Sequence, residues 1–88
     1  MMNTWNSDSF RNLLEKEHHW PSEYLFKFIV KMEQVERVIA LFPERACSLK
    51  RSENGKYMSV SAKVLIFSSD DVVRIYEKAA LIPGIVSL

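Results

Sequence analysis

An 88-residue chain that is 48% hydrophobic and 26% charged has the composition of one globular domain, which excludes an intrinsically disordered chain. A formal net charge of +1 excludes strong overall attraction to nucleic acid or to anionic lipid. No apolar run approaches the ~20 residues that span a bilayer, so no membrane partner is expected.

The sequence contains few residues that could bind a metal or take part in redox chemistry. The single cysteine, Cys47, excludes an intramolecular disulfide and leaves too few soft ligands for a structural zinc site. We therefore expect no metal and no cofactor. The polar first ten residues do not resemble a secretory signal, and the expected location is the cytoplasm.

Residues 1–22 are predicted to form a short helix and a linker that precede the main domain, residues 23–88. Ser7 to Ser9 are good capping residues, and the helix is predicted to run to about Lys16. Its apolar stripe has helical spacing and consists of Phe10, Leu13 and Leu14.

Two adjacent histidines, His18 and His19, follow this helix, and Pro21 ends its pattern. Neighbours in sequence are poorly placed on one helix face or one strand face. We therefore expect both histidines to lie in a solvated linker and not to bind a ligand.

Residues 24–31 alternate in polarity and predict a strand. Its two faces carry Tyr24, Phe26, Phe28 and Val30 on one side, and Leu25, Lys27, Ile29 and Lys31 on the other. The next apolar residues have helical spacing and predict a first core helix, which Pro43 ends. These residues are Val35, Val38, Ile39 and Phe42.

The dipeptide Asn54-Gly55 predicts a hairpin with a type I′ turn, because both central residues of that turn have positive φ. Its strands are residues 46–52 and 56–67, in a register that pairs Ser52 with Tyr57 and Cys47 with Ala62. This register puts Cys47 on the inward face, where a small core hydrophobe is the expected role.

Ser68 and Ser69 precede two acids, Asp70 and Asp71, which predicts the capped start of a second core helix. Its apolar stripe is Val72, Ile75, Tyr76 and Ala79. Pro83-Gly84 ends this helix, and residues 85–88 are predicted to form a short closing strand.

The order of elements predicts an α+β domain of the ferredoxin-like βαββαβ type. This fold has a four-stranded antiparallel sheet with two helices on one face, and here a short N-terminal helix is added. The first and third strands, which are central in that fold, have the richest apolar faces.

Parts of the sequence resemble a known family. The segments that carry the resemblance are Asn54-Gly55-Lys56-Tyr57-x-Ser59-Val60-Ser61 and Ser69-x-Asp71-Val72-Val73-x-Ile75-Tyr76-Glu77, with Leu13-Leu14-Glu15 and Trp20-Pro21. They are similar to the YbeD-like family of small bacterial proteins, domain of unknown function family 493. The resemblance implies a ferredoxin-like fold related to ACT domains and a regulatory or ligand-binding role. It implies no catalytic residues.

No arrangement of residues points to catalysis. An acylphosphatase-type site needs a phosphate-binding loop with an arginine after the first strand, and this chain has Lys31-Met32-Glu33-Gln34 there. Metal carriers place a Cys-x-x-Cys pair in the same loop, and none occurs. We expect that the protein is not an enzyme.

The sheet face away from the core helices is the first candidate binding surface. It carries Lys27, Lys31, Lys50, Lys63, Tyr57, Ser59 and Ser61. These residues suit an anionic small molecule or an acidic partner, and they also suit an ordinary solvated face. RNA binding is less favoured, because the outward positions Leu25 and Ile29 do not supply the aromatic side chains on which bases stack.

The second candidate surface is an apolar patch on the same face, formed by Leu25, Ile29, Leu65 and Phe67. Either the N-terminal helix covers it with Phe10, Leu13 and Leu14, or a second protein does. The sequence thus predicts a regulatory or adaptor domain that acts by homodimerisation or by docking on another protein, with a nucleic-acid-binding module as the alternative.

Overall fold

The structure, a computed structural model, describes residues 7–43 and 45–88. Its helices are α1 (Asp8–Glu17), α2 (Val35–Ile39) and α3 (Ser69–Ala79), and a 3₁₀ turn, Met32–Gln34, precedes α2. Its strands are β1 (Ser22–Lys31), β2 (Cys47–Arg51), β3 (Tyr57–Ile66) and β4 (Val86–Ser87). The predicted α+β class and the ferredoxin-like order of elements are confirmed.

The four strands form one antiparallel sheet in the order β2-β3-β1-β4. β1 and β3 pair along their whole length, from Ser22 opposite Ile66 to Lys31 opposite Tyr57. The hairpin register is the predicted one, with Cys47 opposite Ala62 and Arg51 opposite Met58. Alternation along β1 and β3 therefore sends one set of side chains to the helices and the other to the opposite face.

The turn of the hairpin differs from the prediction. Only Gly55 has a positive φ, +72°, whereas a type I′ turn needs a positive φ at Asn54 as well, so the predicted turn type is wrong. The Asn54 side chain explains the difference: its Oδ1 accepts hydrogen bonds from the Lys56 amide at 3.0 Å and the Ser52 hydroxyl at 2.9 Å. This Asx-type bonding stabilises a wider loop.

Side-chain caps fix the starts of the two longer helices. The Ser7 hydroxyl accepts a hydrogen bond from the Phe10 amide at 3.1 Å, and the Ser68 hydroxyl accepts one from the Asp71 amide at 3.2 Å. α3 also has two acids in its first turn, where the helix dipole favours negative charge. Both starts agree with the capping residues in the sequence.

α2 is shorter than the predicted first core helix. After Ile39 the amides of Leu41 and Phe42 bond to carbonyls three residues back, so the chain tightens before Pro43. Phe42 nevertheless stays buried, with its ring 5.3 Å from that of Phe26. The predicted apolar stripe therefore reaches the core although its last turn is not α-helical.

α1 packs beside α3 and not on the opposite face of the sheet. Its Leu14 is only 4% exposed and belongs to the core, the Phe10 ring lies 6.1 Å from that of Tyr76, and Arg11 forms a salt bridge with Asp70. Of the two alternatives for the outer apolar patch, cover by α1 is therefore wrong, and cover by a second protein stays a prediction. The local spacing gives a stripe but does not say which surface it meets, and Leu13 is 50% exposed.

The core lies between the sheet and the helices. Its fully buried side chains include Phe26, Phe28 and Val30 of β1 and Val60 of β3. In α3, Val73 is also buried, outside the stripe that the spacing predicts. Within the described ranges, none of the helices has the length and apolar character needed to cross a membrane.

Candidate binding face

The face of the sheet opposite the helices, here called the outer face, contains all seven residues of the predicted binding surface. Cross-strand pairing sets them in rows: Lys27 lies beside Ser61, Lys50 beside Ser59, and Lys31 beside Tyr57. Lys63 lies beside Leu25 in the next row. The lysines are exposed and the two serines are half-buried. The structure thus brings these residues onto one continuous surface.

In the described part of the chain, the cations of the outer face form no salt bridge. In residues 7–43 and 45–88, the salt bridges join Arg11 to Asp70 and Arg74 to Asp71, both on the helical side. An exposed lysine without a partner keeps its charge available to a ligand or a second molecule. The four lysines therefore give the outer face a basic character.

One end of the outer face, here called the basic corner, surrounds Tyr57. Two shallow cavities meet at this residue, whose side chain is 41% exposed. The first has a volume of 260 Å³ and is lined by Ile29, Lys50 and Arg51. The second has a volume of 470 Å³ and is lined by Lys31 and Lys56.

Arg51 and Lys56 are not among the seven residues of the predicted binding surface. Alternation places Arg51 on the inward side of β2, but this strand ends there and the side chain reaches the cavity beside Tyr57. Lys56 lies in the hairpin loop, whose turn type was predicted wrongly. Their position just before and just after the Asn54-Gly55 turn is the signal that points to them.

The other end of the outer face, here called the apolar end, consists of Leu25, Leu65 and Phe67. Their exposed fractions are 59%, 52% and 64%, and no described helix lies over them. Ile29, the fourth residue of the predicted patch, is two rows away, beyond Lys27, and lines a cavity of the basic corner. The predicted patch is therefore divided between the two ends.

At the apolar end, two leucines and two oppositely charged residues alternate on the neighbouring strands β1 and β3. Leu25 is opposite Lys63, and Glu23 is opposite Leu65 in the neighbouring row. Leu25 and Leu65 thus lie on one diagonal, and Glu23 and Lys63 lie on the other. Such diagonal neighbours are within reach of one another's side chains.

A cavity of 420 Å³ lies on the helical side, beneath the connection from α3 to β4. It is lined by Phe28, Tyr76 and the segment 79–85, and none of its lining residues is charged. Burial raises the pKa of Tyr76 and of the half-buried Cys47. A raised thiol pKa makes Cys47 a weak nucleophile at neutral pH.

The predicted solvated linker is partly packed. His18 stacks on Trp20 with ring centroids 5.1 Å apart, and its Nδ1 lies 3.2 Å from the Ser22 hydroxyl oxygen. His19 is exposed. Within residues 7–43 and 45–88, no three side chains of the His, Cys, Asp or Glu type are grouped so that they could hold a metal ion.

The described part of the chain is a small α+β domain with a ferredoxin-like sheet that has its helices on one face. The family model described as "Protein of unknown function (DUF493)" matches residues 15–87. The chain belongs to this family, and the resemblance read from the sequence is confirmed. No curated protein and no solved structure matches the chain.

Proposed function

We propose that this domain is a bacterial, cytoplasmic regulatory or adaptor module of the ACT-like kind, which acts by binding and catalyses no reaction. The observation that supports the proposal most directly is the apolar end of the outer face. Leu25, Leu65 and Phe67 form a cluster of side chains that are each more than half exposed. Clusters of this kind on small soluble domains mark interaction sites.

The partner that this surface fits best is a second copy of the chain. In this dimer the outer faces of two copies pack against each other, and the two-fold axis lies between them along the diagonal from Leu25 to Leu65. Rotation about this axis places Leu25 against Leu25 of the second copy and Leu65 against Leu65 of the second copy. The same operation sets Glu23 of each copy against Lys63 of the other. The surface is therefore self-complementary in both its apolar and its charged groups, as an isologous interface requires.

The geometry of this pairing is compatible with known sheet packing. Strands are ~4.8 Å apart and alternate residues of one strand are ~6.8 Å apart, so the leucine diagonal makes an angle of about 35° with the strands. Rotation about it crosses the two sheets at about 70°, which is nearer to orthogonal than to aligned packing.

Sedimentation velocity over about two decades of protein concentration tests this dimer. We expect Leu25→Asp and Leu65→Asp each to abolish self-association while circular dichroism stays unchanged, because both side chains point away from the core. Leu81→Asp is the matched control, since this leucine is 82% exposed and lies outside the outer face. A wild-type chain that is monomeric at every concentration contradicts the proposed dimer.

A charge exchange tests the pairing of Glu23 with Lys63 between copies. Glu23→Lys alone and Lys63→Glu alone each place like charges opposite one another and should weaken the dimer at least about fivefold. A mixture of the two variants should associate, because each contact in the mixed dimer then joins opposite charges. Failure of the mixture to associate excludes this two-fold axis.

The alternative function, RNA binding, has one observation in its favour: Gly55-Lys56-Tyr57 lies at the start of the central strand β3, within a basic corner. RNA-recognition sheets stack two or three bases on exposed aromatic side chains. Here the outward residues of β1 that are central to the sheet are Leu25, Lys27 and Ile29. The geometry therefore favours protein contact over stacking of an RNA strand.

A further inference from the structure

The basic corner has the features of a site for a small ligand. Tyr57 begins β3 directly after the hairpin turn, and it lines both cavities of the corner. Its side chain therefore contributes to the walls of two neighbouring cavities. Ile29 adds an apolar surface to the first cavity.

Positively charged side chains outnumber acidic ones in both cavities that Tyr57 lines. Lys50 and Arg51 line the first cavity together with one acid, Glu53. Lys31 and Lys56 line the second together with one acid, Glu33. Each cavity therefore has a net charge of +1, and none of the four cations takes part in a salt bridge within the described chain.

The backbone around Tyr57 is held in place before any ligand arrives. The Tyr57 amide donates a hydrogen bond to the Ser52 hydroxyl at 3.0 Å, and the Ser52 amide donates one to the Tyr57 carbonyl at 2.9 Å. Asn54 holds the Lys56 amide from the other side. A site that is ordered in advance loses less conformational entropy when it binds.

We propose that the basic corner binds a small molecule that carries a planar ring and phosphate groups, the chemistry of a nucleotide. The ring packs on Tyr57, and the phosphates lie against the cations of the two cavities, whose charge assists their hydrogen bonds. A single exposed aromatic residue accommodates one ring and not a series of stacked bases. This site goes beyond the proposed dimer and lies at the opposite end of the outer face.

Amide chemical shifts in the full chain, followed during titration, test this site with three probes. ATP carries both the ring and the phosphates, tripolyphosphate carries the charge alone, and adenosine carries the ring alone. We expect ATP to bind more tightly than either, with shifts at Ser52, Lys56 and Tyr57. Equal affinity for ATP and tripolyphosphate excludes a role for the ring and overturns the proposal.

Substitutions separate the two contributions. Tyr57→Ala should reduce ATP affinity to that of tripolyphosphate, and Tyr57→Phe should leave it unchanged. Lys50→Ala and Lys56→Ala should each weaken both phosphate probes at least about fivefold. Lys16→Ala, at an exposed position of α1 on the helical side, is the matched control and should have less than about a twofold effect. An equal loss with Lys16→Ala shows diffuse attraction to charge and contradicts a defined site.

Two further measurements keep the outcomes distinct. A single-stranded oligouridylate that binds more tightly than ATP, with shifts extending to Lys27 and Lys63, identifies a nucleic-acid surface and overturns the small-ligand site. Leu25→Asp, which prevents the proposed dimer, should leave ATP binding unchanged. Failure of the dimer and failure of the ligand site can therefore be told apart.

Discussion

The hydroxyl oxygens of Tyr24 and Tyr76 lie 3.1 Å apart and join β1 to α3 across the inner side of the sheet. The Tyr76 ring also lies 5.3 Å from that of Phe26 and 5.8 Å from that of Phe28. Because Phe10 of α1 meets the same ring, Tyr76 connects the N-terminal helix, the central strand and the second core helix. The pKa of Tyr76 is raised, first by burial and then by its hydrogen bond with Tyr24.

This raised pKa predicts a loss of stability at alkaline pH. A tyrosine with a higher pKa in the folded state retains a proton that the unfolded chain releases once the pH exceeds about 10. Its stabilising contribution is complete below that pH and declines as the pH rises further. Urea unfolding between about pH 8 and pH 11 should show this decline, and Tyr76→Phe should reduce it. Tyr57→Phe, an exposed control, should leave it unchanged; an equal decline in Tyr76→Phe contradicts the assignment.

The position of α1 predicts opposite results for two adjacent leucines. Leu14→Ala should lower the free energy of unfolding by about 2 to 4 kcal/mol, because it opens a cavity in the core. Leu13→Ala, at a half-exposed position, should change it by less than about 1 kcal/mol. Denaturant titration of the two variants measures both. A larger loss with Leu13→Ala would place α1 in another orientation.

The turn predicts that Gly55→Val lowers the stability of the domain. The φ of +72° is unfavourable for a β-branched side chain, and the expected loss exceeds about 1 kcal/mol. Gly55→Asn is the matched variant, because asparagine tolerates the left-handed region better than other residues do. We expect its thermal midpoint to lie between those of wild type and Gly55→Val. Equal midpoints for all three chains would contradict a strained position.

The absence of catalysis is also a prediction. The segment that follows β1, Met32–Gln34, has no arginine, and we expect no hydrolysis of an acyl phosphate by the purified chain. The assay should be repeated with Lys27→Ala and Lys31→Ala. Activity that persists through purification and is lost in either variant would show that the protein is an enzyme.

The sequence predicts those features that depend on periodicity and on chain order. Alternation in β1 identifies its buried face, and the order of elements identifies the sheet. The hairpin register is correct although the turn type is wrong, because the real loop is longer by one residue on each side of Asn54-Gly55. Such a symmetrical change leaves Arg51 opposite Met58.

Features that depend on tertiary contact were not predictable in this way. The spacing of Phe10, Leu13 and Leu14 defines a helical stripe, but it cannot distinguish the surface of α3 from the outer face. In the same way, Arg51 belongs to the inward set by alternation, and only the end of β2 turns it toward Tyr57. The basic corner is therefore recognisable only in the three-dimensional structure, whereas the positions of the lysines and serines on the outer face follow from the alternation of the strands.

The two edges of the sheet have a consequence for solubility at high concentration. An edge strand with free backbone groups can recruit further chains into an extended sheet. Here the β2 edge is five residues long and carries Lys50 and Arg51, and β4 forms only a two-residue edge. Lysine and short edges oppose such recruitment. Growth of the sheet through β2 or through β4 is therefore disfavoured, and the dimer that we propose uses the outer face and neither of these edge strands.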